Sequence, residues 1–489
     1  MRFLLFVLFF GILYSDEVKE EDFLKSAQEM NSNLYSSPPT QFRKGHVTPK
    51  KINPKDLLKE TKMGYEIQLP GKTQIPTPTI CGDILFSGGG FHSREFYAFE
   101  ASTGKKLWAV DIDDDGPSTA ACADGIVIFN TESCTIFALD AKTGKQLWSL
   151  WLGDPLMSTP TVSDGKVFTS YPASGQFQPS KKNQKANLYA SHVLVALNLK
   201  TGKILWQKWI DSDVMSSPVA ENKDLYVSTF SGTVYKFNKE NGEILSAVKT
   251  RATSAPVITG ESVFFTKRAE EKASMKAEES IVSTKDNFKT KKYEANKKSA
   301  LHLDKKVQEK TGYSQKAKDL DAGNGFSGGA PASANTSVAY DNVGQSSVSS
   351  LQAFQGSRIL NVKNKNVNTM GDEIVATEPE TGKVLWNKKL SGNLENSGGS
   401  LGTSPAYAGG YVFVNSLQGK ILQIDPSTGK TAQEYDTKET LRFQPIIHKG
   451  MIFTTSENGK IIAIKTGNEK LTGWTTWGGN SERTNKVTE

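Results

Sequence analysis

The sequence predicts an all-β propeller of eight four-stranded antiparallel blades, closed into a ring by a strand near its N-terminus. Three observations predict it. A similar segment recurs about every 40 residues, apolar residues alternate within each copy, and each copy carries a glycine-bearing turn at the same place. Seven copies are readable, with turn glycines Gly104, Gly144, Gly202, Gly242, Gly382, Gly429 and Gly467. Their intervals of 40, 58, 40, 140, 47 and 38 residues describe one unit interrupted by two insertions, at about 171–191 and 300–352.

In chain order, residues 1–15 (MRFLLFVLFFGILYS) place one Arg before a dozen apolar residues and reach a small residue, the layout of a secretory signal peptide. The run is short for a membrane span, and a single-pass anchor is the alternative. Its lack of a following Cys argues against a lipoprotein. The expected location is therefore across the inner membrane, in the periplasm or cell envelope, with no transmembrane span in the mature chain.

Residues 16–64 read as a helical and linker segment, with short helices at Glu20–Asn31 and Asn53–Lys62. The second opens on Asn-Pro, a favourable cap and first position. SSPPTQFRKGHVTPK between them reads as a linker on the surface.

The propeller is expected over residues 65–480, followed by a tail at 481–489. In a unit such as STPTVSDGKVFTS, two strands flank an Asp-Gly turn; in IFALDAKTGKQLW, a third strand leads through a second turn into a fourth. There Asp140 can accept backbone N–H groups while Gly144 supplies a positive φ. Trp108, Trp148, Trp206 and Trp386 each follow the turn glycine by four residues, placing an indole where it can fill the wedge between blades. The Ala five residues before the turn threonine leaves it room. Ser246 and Gln433 stand where two copies lack the Trp, and Trp474 is displaced in the last.

The run Ala138-x-Asp140-x-x-Thr143-Gly144-x-x-x-Trp148 resembles the tryptophan-docking repeat of the PQQ-like (quinoprotein alcohol dehydrogenase-like) propellers, and copies at Ala98–Trp108, Ala196–Trp206 and Ala376–Trp386 keep it. The resemblance covers about Tyr65 to Asn480. The long interval from Gly242 to Gly382 holds a blade starting at SAPVITGESVFFT, a worn third strand in SIVSTKDNF, and a fresh start at Ser357. That makes eight blades; seven with one very long loop is the alternative. YEIQLPG (Tyr65–Gly71) reads as a fourth strand without a blade of its own, available to pair with the last blade and leave no open edge.

The formal charge of +7 is local: Lys267 to Asp321 holds fifteen Lys/Arg and ten Asp/Glu, 15 − 10 = +5 of it. The near balance elsewhere argues against a nucleic-acid-binding face. This lysine-rich stretch and the Gly-rich run after it read as a flexible loop, with a partner-binding arm as the alternative.

The resemblance implies two roles. A dehydrogenase would bind PQQ with calcium, but the adjacent cysteines of alcohol-oxidising relatives and a CxxCH haem motif are both missing. The favoured reading is the non-enzymatic branch, BamB-like propellers that act as protein- or ligand-binding scaffolds, with no catalysis and no cofactor expected. A carbohydrate- or polymer-binding surface protein is a further alternative. Asp111-x-Asp113-x-Asp115-Gly116 resembles half an EF-hand, but Cys122 stands at its twelfth position and cannot close the site. Cys81, Cys122 and Cys134 are odd in number and cannot all pair internally. The loops joining second to third strands share a face with the inter-blade loops. His92, Arg94, Glu132, Cys134, Arg251, Arg358 and Arg442 fall on that face, a candidate site for an envelope protein or a small acidic ligand. A monomer is expected.

Overall fold

The computed structural model describes residues 20–32, 45–52, 57–90, 93–131, 135–152, 158–172, 192–229, 232–268, 277–300, 359–393 and 401–484, less a few single positions within those ranges. Eight antiparallel sheets form the ring. Blades 1 to 7 span residues 79–111, 121–151, 161–210, 219–249, 257–300, 359–389 and 406–436, each with its four strands in sequence order. Blade 8 takes three strands from residues 446–465 and its fourth, Gly64–Gln68, from the N-terminal side. Tyr65 pairs with Ala463 in that sheet, so the ring closes as the sequence predicts. First strands of neighbouring blades touch one another, which places them around the axis.

Local chemistry sets each blade. Asp164 and Gly165 both hold positive φ (49° and 69°), the two-residue hairpin turn that suits strand twist. At the next turn Asp140 Oδ1 accepts from Thr143 N at 2.8 Å and Thr143 Oγ1 at 2.7 Å, which holds its carboxyl below the usual range. A bulge in the pair follows Ala138, whose cross-strand partner is Trp148; Ala98–Trp108, Ala196–Trp206 and Ala376–Trp386 repeat this register. Each indole then crosses to the next blade. Trp108 Nε1 donates to Ala141 O at 3.0 Å, Trp148 to Leu199 O at 2.8 Å, Trp206 to Lys239 O at 3.0 Å and Trp386 to Pro426 O at 2.8 Å. The turn glycine lies directly over the ring: a Cβ on Gly144 would sit 2.8 Å from Trp108.

A second latch lies nearer the axis. Asn130 at the end of a second strand donates from Nδ2 to Ser158 O and to Thr169 Oγ1 (2.9 Å) of blade 3. Asn415 makes the same pair of bonds to Phe443 O and Thr454 Oγ1 of blade 8, both at 2.7 Å. The Nδ2 donors of both asparagines thereby find their acceptors across the blade boundary, tying each blade to the next.

Three expectations need correction. Leu58–Thr61 is a strand, paired with Gly64–Gln68 at the rim of blade 8, and not part of a second helix; Asn53–Asp56 lie outside the described residues. Its Lys62-Met63 turn makes a hairpin, and sheet pairing outweighs the helix signal of Asn-Pro. Blade 5 is not worn down: it has four full strands, including Ala277–Lys285 and Thr290–Ala300. Part of the lysine-rich stretch is therefore sheet, not loop, because backbone pairing tolerates lysines on an outer strand. Cys81 and Cys122 form a disulfide between the first strands of blades 1 and 2. Residues 173–191 and 301–358, where both insertions fall, lie outside the described residues.

The N-terminal segment covers outer edges. Helix α1, Glu20–Ser32, buries Phe23, Ala27 and Met30 against blades 3 and 4. Asn31 exchanges two bonds with the Trp209 backbone, accepting from its N–H at 2.8 Å and donating to its carbonyl at 3.2 Å, as a neighbouring strand would. Gln146 of blade 2 bonds the Gly45 carbonyl and the Val47 N–H, and Thr48–Pro49 adds a fifth strand to blade 1.

Candidate functional site

The loop face is less open than the sequence suggests. Arg94 Nη2 donates to Asp111 Oδ1 at 3.2 Å, and Arg442 pairs with Glu457 in the neighbouring turn. Each guanidinium thus meets a carboxylate of its own surroundings. His92, Glu132, Cys134, Arg251 and Arg358 lie outside the described residues. The alternating aspartates also turn to separate partners. Asp111 Oδ1 accepts from Asp113 N as well as from Arg94, while Asp113 Oδ1 accepts from His46 N at 3.0 Å and ties down the N-terminal segment. Among the described residues, no three His, Cys, Asp or Glu side chains gather as a metal ion would require.

A polar cluster that sequence reasoning missed lies on this face between blades 3 and 4. Asp211 and Asp213 occupy the connection from Ile204–Ile210 to Val219–Glu221, and both are buried. Asp211 accepts from Thr229 Oγ1 at 2.9 Å and Thr233 Oγ1 at 2.5 Å, and faces Lys249 Nζ at 3.3 Å. Asp213 Oδ1 accepts from Ser170 Oγ at 2.5 Å and Val214 N at 2.7 Å. His192, buried beside them, has its imidazole pKa pushed down by burial, against the upward pull of Asp213 and Asp211. Ser170 gives its proton to the Asp213 carboxylate. What it provides is a rigid acidic knot under the loops, with half-exposed Lys249 at its edge. The available signal was the pair of aspartates in Asp211-Ser212-Asp213 directly before a first strand.

The axis holds the other unforeseen feature. The C-terminal segment runs along the inner strands. Ser481 O accepts from Cys122 N at 3.2 Å, and Glu482 O accepts from Val162 N at 2.9 Å. Thr476 and Ser481 also border a gap of about 30 Å³ between Pro78–Ile80 of blade 1 and Ile446–His448 of blade 8. Asn480 fixes this segment: its Oδ1 accepts from Glu482 N and Thr484 N, and its Nδ2 donates to Thr484 Oγ1 at 2.7 Å. Residues 476–484 thus touch blades 8, 1, 2 and 3 at the axis and join the disulfide in holding the ring together.

No curated protein matches the chain in sequence. Several solved propellers share its architecture. BamB from Moraxella catarrhalis superposes with a TM-score of 0.52 at 14% identity, covering 83% of this chain and 97% of that one. The computationally designed Ika8 protein gives 0.54 at 13%, covering 81% and 98%. A quinohemoprotein alcohol dehydrogenase, ADHIIG of Pseudomonas putida HK5, gives 0.53 at 12%, covering 86% and 78%. Likeness at such identities shows the fold alone. Residues 93–182, 184–271 and 370–487 match the family described as outer membrane protein assembly factor BamB, and with well over half of its length so matched the chain belongs to that family of PQQ-like propellers.

Proposed function

We propose that this chain is a non-catalytic scaffold that works outside the cytoplasm and recruits protein partners through its loop face and rim. The observation that carries the reading is the C-terminal segment along the inner strands of blades 2 and 3. Its carbonyls engage the backbone N–H groups of Cys122 and Val162 on the first strands of those blades. Against a quinone with calcium, no three His, Cys, Asp or Glu side chains gather among the described residues, and the carboxylates of Asp211 and Asp213 already accept from hydroxyl and amide groups of their own surroundings. The Cys81–Cys122 disulfide agrees with an oxidising compartment, as does the apolar leader of the sequence. The family's description as an assembly factor favours protein partners over substrates.

The test is affinity capture of partners from an envelope fraction by the full chain, beside a titration of the same protein with PQQ and Ca²⁺. Saturable capture of defined partners without a bound chromophore is expected. Stoichiometric quinone binding with dye reduction would overturn the reading.

A further inference from the structure

The N-terminal segment runs around the outside of the ring. Helix α1 lies on blades 4 and 3, where Gln28 Nε2 donates to Ile244 O at 3.0 Å and Asn31 brackets the Trp209 backbone. Gly45 and Val47 hold the outer strand of blade 2 through Gln146 and Ser149. Thr48–Pro49 then pairs with blade 1, Lys50 N donates to Ala109 O at 2.8 Å, and Leu58–Thr61 covers blade 8. Five neighbouring outer edges are thereby covered in one direction around the rim. The outer strands of blades 5, 6 and 7 meet no such cover among the described residues.

Blade 6 is the distinctive member of this bare arc. Its outer strand, Val384–Lys389, exposes Val384 and Leu385, the only two large apolar side chains exposed side by side among the described residues. Lys383, Lys388 and Lys389 flank them, and none pairs with a carboxylate among the described residues. On blade 7, by contrast, Glu434 and Asp436 are paired with Lys420 and Lys438. The outer strand of blade 5, Thr290–Ala300, adds four lysines against one glutamate in sequence. Register shows which backbone groups blade 6 offers. Ala109, one residue after Trp108, gives its carbonyl outward to Lys50, and Trp209, three after Trp206, turns both backbone groups outward to Asn31. Asn387 and Lys389 stand at the same steps after Trp386 in the same register, so their N–H and C=O groups face away from the sheet.

We propose that the outer edge of blade 6 takes an extended acidic segment of a partner protein as a fifth strand, with apolar residues alternating with carboxylates. The inference rests on the scaffold reading for a protein as the source of that strand. Asn387 and Lys389 supply backbone bonds, Val384 and Leu385 apolar contact, and the three lysines the charge that chooses the strand. The same lysines disfavour a second copy of the chain, because antiparallel pairing about Trp386 would set Lys383 against Lys389. Blade 1 already carries a fifth strand from the chain itself, so the frame accepts the addition.

A seven-residue peptide alternating valine with glutamate, with a proline at each end against self-pairing, tests this beside its lysine counterpart. Each is titrated into the full-length protein at low salt and read by hydrogen exchange. The glutamate peptide should slow Val384–Lys389 with a Kd on the order of 1 mM. The lysine peptide should bind at least about tenfold more weakly. Asn387→Pro removes an outward N–H and leaves the inner ladder whole, so the glutamate peptide should lose at least about tenfold in a folded protein. Should that variant not fold, the joint reversal Lys388→Glu and Lys389→Glu decides, by switching the preference to the lysine peptide. No binding, equal binding of both peptides, protection at another blade, or unchanged affinity in folded Asn387→Pro would overturn the proposal. So would a dimer in sedimentation that Asn387→Pro dissolves, since the edge would then belong to a second copy. Failed capture from the envelope with peptide binding intact counts against the scaffold reading alone; failed peptide binding with capture intact counts against this edge alone.

Discussion

Tyr65 donates its phenolic proton to the carbonyl of Ala101 at 2.6 Å, the contact that docking indoles make elsewhere in the ring. The ring-closing strand thus brings its own wedge-filler, and a Cβ on Gly104 would sit 2.6 Å from Tyr65 as one on Gly144 would from Trp108. Closure therefore rests on side-chain docking as well as on backbone pairing with Lys460–Lys465. Tyr65→Phe should cost about 1 kcal/mol, the worth of one hydrogen bond. Tyr65→Ala should cost about 3–5 kcal/mol by leaving the wedge empty. Urea unfolding of both variants measures the two figures.

Gly144 and Trp108 form a pair in which each restricts the other. Gly144 holds φ of 71°, and its Cα stands over the indole. Gly144→Ala should destabilise by about 1–3 kcal/mol through backbone strain and overlap. In a Trp108→Ala background the overlap is gone and only the backbone part remains, so the two changes should be less than additive. A double-mutant cycle reads this coupling.

Much of the ring was legible because its signals are local. Asp140, Thr143, Gly144 and Trp148 lie within nine residues, and spacing alone fixes their roles. Tyr65 was legible as a strand but not as the stand-in for a Trp, since that role depends on a blade 400 residues away. Phe288 was hidden for a related reason: from the turn between the third and fourth strands of blade 5 it packs edge-on against Tyr226 of blade 4, outside the repeat's own pattern. The knot of His192, Asp211 and Asp213 was not legible either, because only the fold brings a strand start and an inter-blade loop together. Of the residues assigned to the candidate binding face, Arg94 and Arg442 are engaged by nearby Asp111 and Glu457. Spacing could not reveal those partners.

His192 should give the stability an acid-sensitive limb. Burial lowers its pKa in the folded state below the ordinary 6.5, so the unfolded chain binds the proton more readily. Above pH of about 6.5 both states are neutral and the group contributes nothing. As pH falls below that value the unfolded state gains protons first, and stability is lost until the folded pKa is passed. His192→Gln should flatten this limb in melting temperatures recorded from pH 7.5 to 5, although the substitution itself lowers the baseline.

The disulfide and the C-terminal segment meet at Cys122, whose sulfur bonds Cys81 while its backbone bonds Ser481. Bridging residues 41 apart should contribute about 4 kcal/mol by restricting the unfolded chain. Reduction should therefore lower the melting temperature without unfolding the ring. Removing residues 474–489 acts differently. It frees the inner-edge N–H groups of Cys122 and Val162, so hydrogen exchange should quicken at Ala121–Ala123 and Thr161–Ser163, and much less at outer strands such as Val384–Lys389. Each lost bond contributes about 1 kcal/mol, hence exchange at these amides should quicken by roughly fivefold or more. Uniform acceleration across all blades would instead mean that the tail supports global stability and has no particular hold on the axis. With both locks removed, blades 1 and 2 should separate first, because both fastenings meet at that boundary.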